Sequence, residues 1–137
     1  MSTEGDSITL TQKGLIDKLL KTCGMSKYNS KATPASSTPL GTDAKGPNHD
    51  KPWDYAQAVG MAMYLCNNTR PDIQFATHQC ARFSHTPKAS HTIAMKQISK
   101  YLKGTRDKGI IFKLDPDLKL DCYVDADFAR LWGYKDD

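Results

Sequence analysis

The spacing of apolar positions changes rhythm several times along the chain, and each change predicts an element. Ser7-Ile8-Thr9-Leu10-Thr11 alternates polar and apolar side chains, the period of a short strand. From Leu15 the spacing becomes helical: Leu15, Ile16, Leu19, Leu20 and Cys23 fall on one face, which Gly24 closes. Residues 26–51 have no period and are rich in Ser, Pro, Gly, Thr, Asn and Lys, which predicts a long extended or mobile linker. Three further helices follow. The first is read with Trp53, Ala56, Gly60, Met63 and Tyr64 on one face. The second opens at Arg70-Pro71-Asp72, where proline suits a first helical position and an acid suits the positive end of the helix dipole, and its stripe is Ile73, Ala76, Cys80 and Phe83. The third starts at Thr86-Pro87, carries His91, Ala94, Met95, Ile98, Tyr101 and Leu102, and ends at Gly104. Residues 109–113 then read as a strand, Asp115-Pro116-Asp117 as a turn, and Leu118 to Asp125 as the antiparallel partner. The fold class is thus α+β and mainly α-helical, with about four helices, a short N-terminal strand and a C-terminal β-hairpin.

Composition narrows the class without changing this picture. The 137 residues are 39% hydrophobic and 25% charged, one domain's worth of chain, and no apolar run approaches the roughly 20 residues of a membrane span. The first residues are polar and acidic, unlike a secretory signal or a transit peptide, so a soluble chain of cytosol or nucleus is expected. Cys23, Cys66, Cys80 and Cys122 are scattered without a Cys-x-x-Cys pair, the pattern of reduced, buried thiols. His78, Cys80, His85, His91 and Cys66 are possible metal ligands, but His78 and Cys80 point to different faces of a helix and do not form the tight pairs of a structural zinc site. The sequon Asn67-Asn68-Thr69 carries no weight without a secreted context.

Charge is distributed unevenly. Net charge is +4, but residues 82–113 hold eight basic side chains against Asp107 alone, whereas residues 114–137 hold seven aspartates against Lys119, Arg130 and Lys135. Lys96, Lys100 and Lys103 share one face of the last helix, with Arg106 just beyond. Such a stripe is either an ordinary solvated helix face or a surface that follows a phosphate backbone without reading its sequence.

Near the end, a strand-like run delivers Asp125, and Asp127 follows on the same face of an extended chain. A carboxylate at a strand end is how many Mg²⁺-dependent nucleases begin their site, but an ion pair must be clamped by carboxylates from several elements. Tyr134-Lys135-Asp136-Asp137 matches the Tyr-x-Asp-Asp of polymerase catalytic hairpins, yet no second strand follows it here, and it reads as a chance match. No Gly-rich phosphate loop and no Ser-His-Asp or Cys-His arrangement is present.

Seven blocks, at residues 8–16, 37–40, 59–65, 69–73, 81–83, 101–105 and 123–129, carry a more specific signal. Among them are Thr69-Arg70-Pro71-Asp72-Ile73, Tyr101-Leu102-Lys103-Gly104-Thr105 and Tyr123-Val124-Asp125-Ala126-Asp127-Phe128-Ala129. In this order and at this spacing the chain resembles the Pol polyprotein of copia-type long-terminal-repeat retrotransposons. The resemblance implies that residues 1–25 end the reverse transcriptase palm and enter the thumb, that 26–51 link, that 52–105 are a helical connection, and that 106–137 begin a ribonuclease H-like sheet. Asp125 then falls on the family's first ribonuclease H metal-binding aspartate, as a vestige, with Asp127 a weak accessory. Mg²⁺ belongs to the parent enzyme and no cofactor is expected for this chain alone. Arg130 departs from the family pattern, which has glycine after Phe128-Ala129. The expectation is an inert segment whose partners are the rest of a Pol polyprotein. A host-reused helical module binding RNA or DNA weakly and non-specifically is the alternative, and a mis-bounded gene is a third possibility. No membrane partner is expected.

Overall fold

The computed structural model describes residues 2–4, 7–113 and 122. Three strands, β1 (Ser2–Glu4), β2 (Ser7–Leu10) and β3 (Ile110–Lys113), form an antiparallel sheet in the order β1-β2-β3. Four α-helices separate β2 from β3: α1 (Lys13–Thr22), α2 (Tyr55–Asn68), α3 (Gln74–Ala81), which a 3₁₀ turn at Pro71–Ile73 leads into, and α4 (Ala89–Gly104). The mixed, mainly helical class read from the sequence is therefore present.

The sheet includes one pairing that the sequence pattern does not announce. Within the described residues β3 pairs with the N-terminal strand, in the register Leu10↔Ile110 to Ser7↔Lys113. Gly109 makes the approach possible: a Cβ there would run into the carbonyl of Leu10. Residues 118–125, the expected partner, lie outside the described residues except for Cys122, which is exposed and in neither helix nor strand.

The helices pack α1 on α2 and α4, and α3 on α2 and α4. Ile16, Leu19 and Leu20 of α1 meet Met95, Ile98 and Leu102 of α4 in one core that also takes Leu65, Ile73 and Cys80. α1 stops at Gly24, whose φ of 67° is the left-handed geometry glycine adopts cheaply, and the Met25 N–H reaches back to the Leu20 carbonyl. The stripe of α2 is not the one expected. Tyr55, Ala58, Val59, Ala62, Leu65 and Cys66 are buried, while Ala56, Gly60 and Tyr64 face outward. Small apolar residues all around this helix leave its period ambiguous. The start is fixed instead by Asp54, whose carboxylate accepts from the Ala56 and Gln57 amides.

Arg70 ties the ends of α2, α3 and α4 together. Its side chain is 1% exposed. Nε and Nη2 donate to the two oxygens of Asp72 at 3.1 and 2.9 Å, Nη1 donates to the Thr105 carbonyl at 2.8 Å, and Nη2 also reaches Thr105 Oγ1 at 2.6 Å. Tyr101 Oη donates to Asp72 at 2.5 Å. The guanidinium thus caps the negative end of α4 while its own charge is met bidentately.

Residues 26–51 contain no helix or strand apart from the single bridge Asn48↔Lys88, yet they lie along α4 as a strap. Two histidines hold the far half. His91 is fully buried and stacks on Phe83; its Nδ1 accepts the Lys88 N–H at 2.9 Å, which leaves Nε2–H to donate to the Gly41 carbonyl at 2.7 Å. His49 joins Thr92 Oγ1 to the Trp53 carbonyl. Gln79 accepts from the Leu40 N–H.

Two outcomes test this account. Burial pushes the Asp72 carboxyl up, but the hydrogen bonds from Arg70 and Tyr101 and the guanidinium charge together outweigh that and hold it below its ordinary 3.8. Because the folded value is depressed, the stabilisation is complete above the unfolded value and is lost as pH falls through the lower folded one. Asp72→Asn should cost about 3 kcal/mol near neutrality, by stranding a buried cation, and should flatten denaturation midpoints measured from pH 5 downward. Gly109→Val should break the β2–β3 pairing and remove amide protection at Ile8 and Leu10, leaving α2–α4 protected.

Candidate nucleic-acid interface

The basic stripe of α4 is present, and most of it is engaged. Lys96, Lys100 and Lys103 are half-buried rather than free in solvent. Lys103 Nζ donates to the carbonyls of Ser26 and Tyr28, both at 2.6 Å, so this lysine fastens the near half of the strap. Lys100 places Nζ 5.3 Å from the centre of the Tyr28 ring, and its backbone carbonyl accepts from Lys31. Arg106 forms a fork with Asp17 of α1, both contacts at 2.7 Å. The hydrogen bond to Arg106 is the main reason that the Asp17 carboxyl is held down. Lys96 lies close enough to Cys23 to act on its thiol, which burial pushes up and which Ser99 and Lys96 draw partly back.

Sequence reasoning could place these side chains on one helix face but not find their partners. The strap is aperiodic, and its contacts run through backbone carbonyls that carry no signature. Tyr28 is the residue it overlooked. It is 54% exposed and has Lys27, Lys31, Lys100 and Lys103 around it. The signal available was compositional: no acidic residue lies between Asp17 and Asp43, nor between Asp72 and Asp107.

Asp125 and Asp127 lie outside the described residues. Among the described residues no three His, Cys, Asp or Glu side chains come together as a metal site, and no helix is long and apolar enough to cross a membrane. Cys66 and Cys80 are buried thiols whose pKa values burial raises, to about 11 for Cys80.

Comparison with known proteins decides the family. The chain is 37% identical over 128 residues to the Retrovirus-related Pol polyprotein from transposon RE1 of Arabidopsis thaliana, a match that covers 93% of this chain. The chain belongs to the Pol polyproteins of copia-type retrotransposons. The corresponding protein from transposon TNT 1-94 of Nicotiana tabacum is 34% identical over 129 residues, covering 88% of this chain. This Pol segment spans only 8% and 9% of the length of those two relatives. A shorter similarity, 39% over 75 residues and about half of each chain, is to Secreted RxLR effector protein 161 of Plasmopara viticola. No protein-family model matches the chain, and no solved structure does.

If Lys103 anchors the strap, Lys103→Gln should raise amide exchange at Tyr28 and Lys31 by roughly threefold to tenfold, with little change at Met95 or Ile98. Unchanged exchange at Tyr28 and Lys31 would assign the strap's order to other contacts.

Proposed function

We propose that this segment joins reverse transcriptase to ribonuclease H within a Pol polyprotein and that it performs neither reaction by itself. The observation that carries the reading is the match to Pol polyproteins, which runs through nearly the whole chain, strands and helices alike. In this reading residues 1–25 close the palm and enter the thumb, 26–51 strap the helices, 52–105 form the connection, and 106–137 start the nuclease. Asp125 is the first nuclease carboxylate, with Asp127 beside it. Two carboxylates two residues apart in the chain are too few to hold a catalytic pair of Mg²⁺ ions, which needs oxygen ligands brought in from separate elements. The helical body supplies rigidity: its charged node is buried at Arg70, and its apolar stripes meet in one core.

A second reading is supported by the two acid-free stretches, which converge on α4 and the near half of the strap. There the segment contacts RNA or DNA through the basic face that carries Lys96, Lys100, Lys103 and Arg106, the last two also holding that face in place through the strap and Asp17. Lysines follow phosphates without reading bases, so that binding is weak, sequence-independent and salt-dependent.

Purified protein with Mg²⁺ or Mn²⁺ should neither extend a primed RNA template nor cut the RNA strand of an RNA–DNA hybrid, and Asp125→Asn should behave like the parent. Cleavage that the parent performs and Asp125→Asn loses would overturn the reading, since a working metal site would then have assembled.

A further inference from the structure

The basic surface contains one side chain that a phosphate-tracking stripe does not need. Tyr28 stands on the turn that follows α1, where its own N–H bonds to the Met25 carbonyl at 3.2 Å and its carbonyl receives Lys103 Nζ. Three residues on, the Lys31 N–H bonds to the Lys100 carbonyl. The backbone around Tyr28 is therefore tied to α4 on both sides while the ring remains 54% exposed. An isolated exposed tyrosine needs no explanation, but this one is fixed in place. A fixed aromatic surface gives up little conformational entropy when something stacks on it.

The charged side chains on the two segments that carry and face the ring, the near half of the strap and α4, are all basic. Lys27 and Lys31 flank Tyr28 in the chain and are exposed; Lys100 sits over one side of the ring, and Lys103 is bonded to the residue's own carbonyl. Both segments that build this surface come from acid-free stretches of the chain, so no carboxylate from either one offsets the lysines. An aromatic ring set among lysines is the chemistry that takes unpaired bases: the ring stacks on a base face, which every nucleotide has, and the ammonium groups donate to the flanking phosphates. A duplex keeps its base faces stacked internally and could use only the lysines.

We propose that Tyr28, with Lys27, Lys31 and Lys100, forms a stacking platform for single-stranded nucleic acid on the face made by the strap and α4. The inference rests on the nucleic-acid reading above and deepens it, moving the centre of the site from the helix stripe to the strap. Lys103 belongs to the platform's support, because its ammonium is occupied by the Ser26 and Tyr28 carbonyls. The preference is for unpaired over paired strands, with little dependence on sequence.

The test is fluorescence anisotropy of the full chain with a labelled oligothymidylate of about 20 nucleotides and with a duplex of the same length, at roughly 50 and 200 mM salt. The parent should bind the single strand more tightly than the duplex and weaken as salt rises. Tyr28→Ala should lose roughly fivefold to a hundredfold in single-strand affinity and nothing in duplex affinity, whereas Tyr28→Phe, which keeps the ring, should bind like the parent. Circular dichroism should show equal helix content in all three. If Lys27→Gln with Lys31→Gln abolishes binding but Tyr28→Ala leaves it unchanged, the platform is wrong and the simple basic surface stands. If the parent binds neither oligonucleotide, or binds only vesicles containing phosphatidylserine, the nucleic-acid reading itself fails.

Discussion

A buried guanidinium constrains everything else in this fold. Removing Arg70 from water is costly unless each of its donors finds an acceptor, and the chain meets that demand by converging three elements on one point. Asp72 turns back from the 3₁₀ turn to take two of the bonds, and Thr105 offers its carbonyl and hydroxyl from the end of α4. Neither partner works unless α3 and α4 are docked in register with the end of α2. The node therefore contributes specificity more than raw stability, since an apolar cluster of equal volume would hold the helices but not fix their ends.

The strap depends on the same register. Its bonds to α4 run from Lys103 near the helix end to His91 and Thr92 near its start, nearly the helix's full length. A rotation of α4 about its axis would break contacts at both ends together. That explains how a segment with almost no apolar side chains in the core stays in place: many separate polar contacts substitute for a hydrophobic face.

What could be read in the sequence follows from this division of labour. The stripes of α1, α3 and α4 were legible because their apolar side chains recur at a helical period, although Thr77, Gln79, Thr92 and Ser99 are buried beside them. In α2 small apolar residues on both faces blurred that period, and the wrong face was expected to be buried. Arg70 and Asp72 were visible as a helix-start signal, but nothing local said that the arginine would be buried, since its partner Thr105 lies 35 residues away. The pairing of β3 with β2 was hidden for the same reason, its two strands being separated by the entire helical body. Of the candidate interface, the lysines could be placed on one face of α4, but Tyr28 could not be joined to them, because the strap that carries it has no period to read.

The β2–β3 pairing has a consequence for how the segment sits in a longer chain. Ser7 and Lys113 are cross-strand partners, so the polypeptide enters and leaves the helical body about one strand spacing, roughly 5 Å, apart. The roughly hundred residues between them form a closed appendage, and whatever lies upstream and downstream is held at nearly fixed separation however the helices breathe. During synthesis β2 must wait until β3 has emerged before this closure can form.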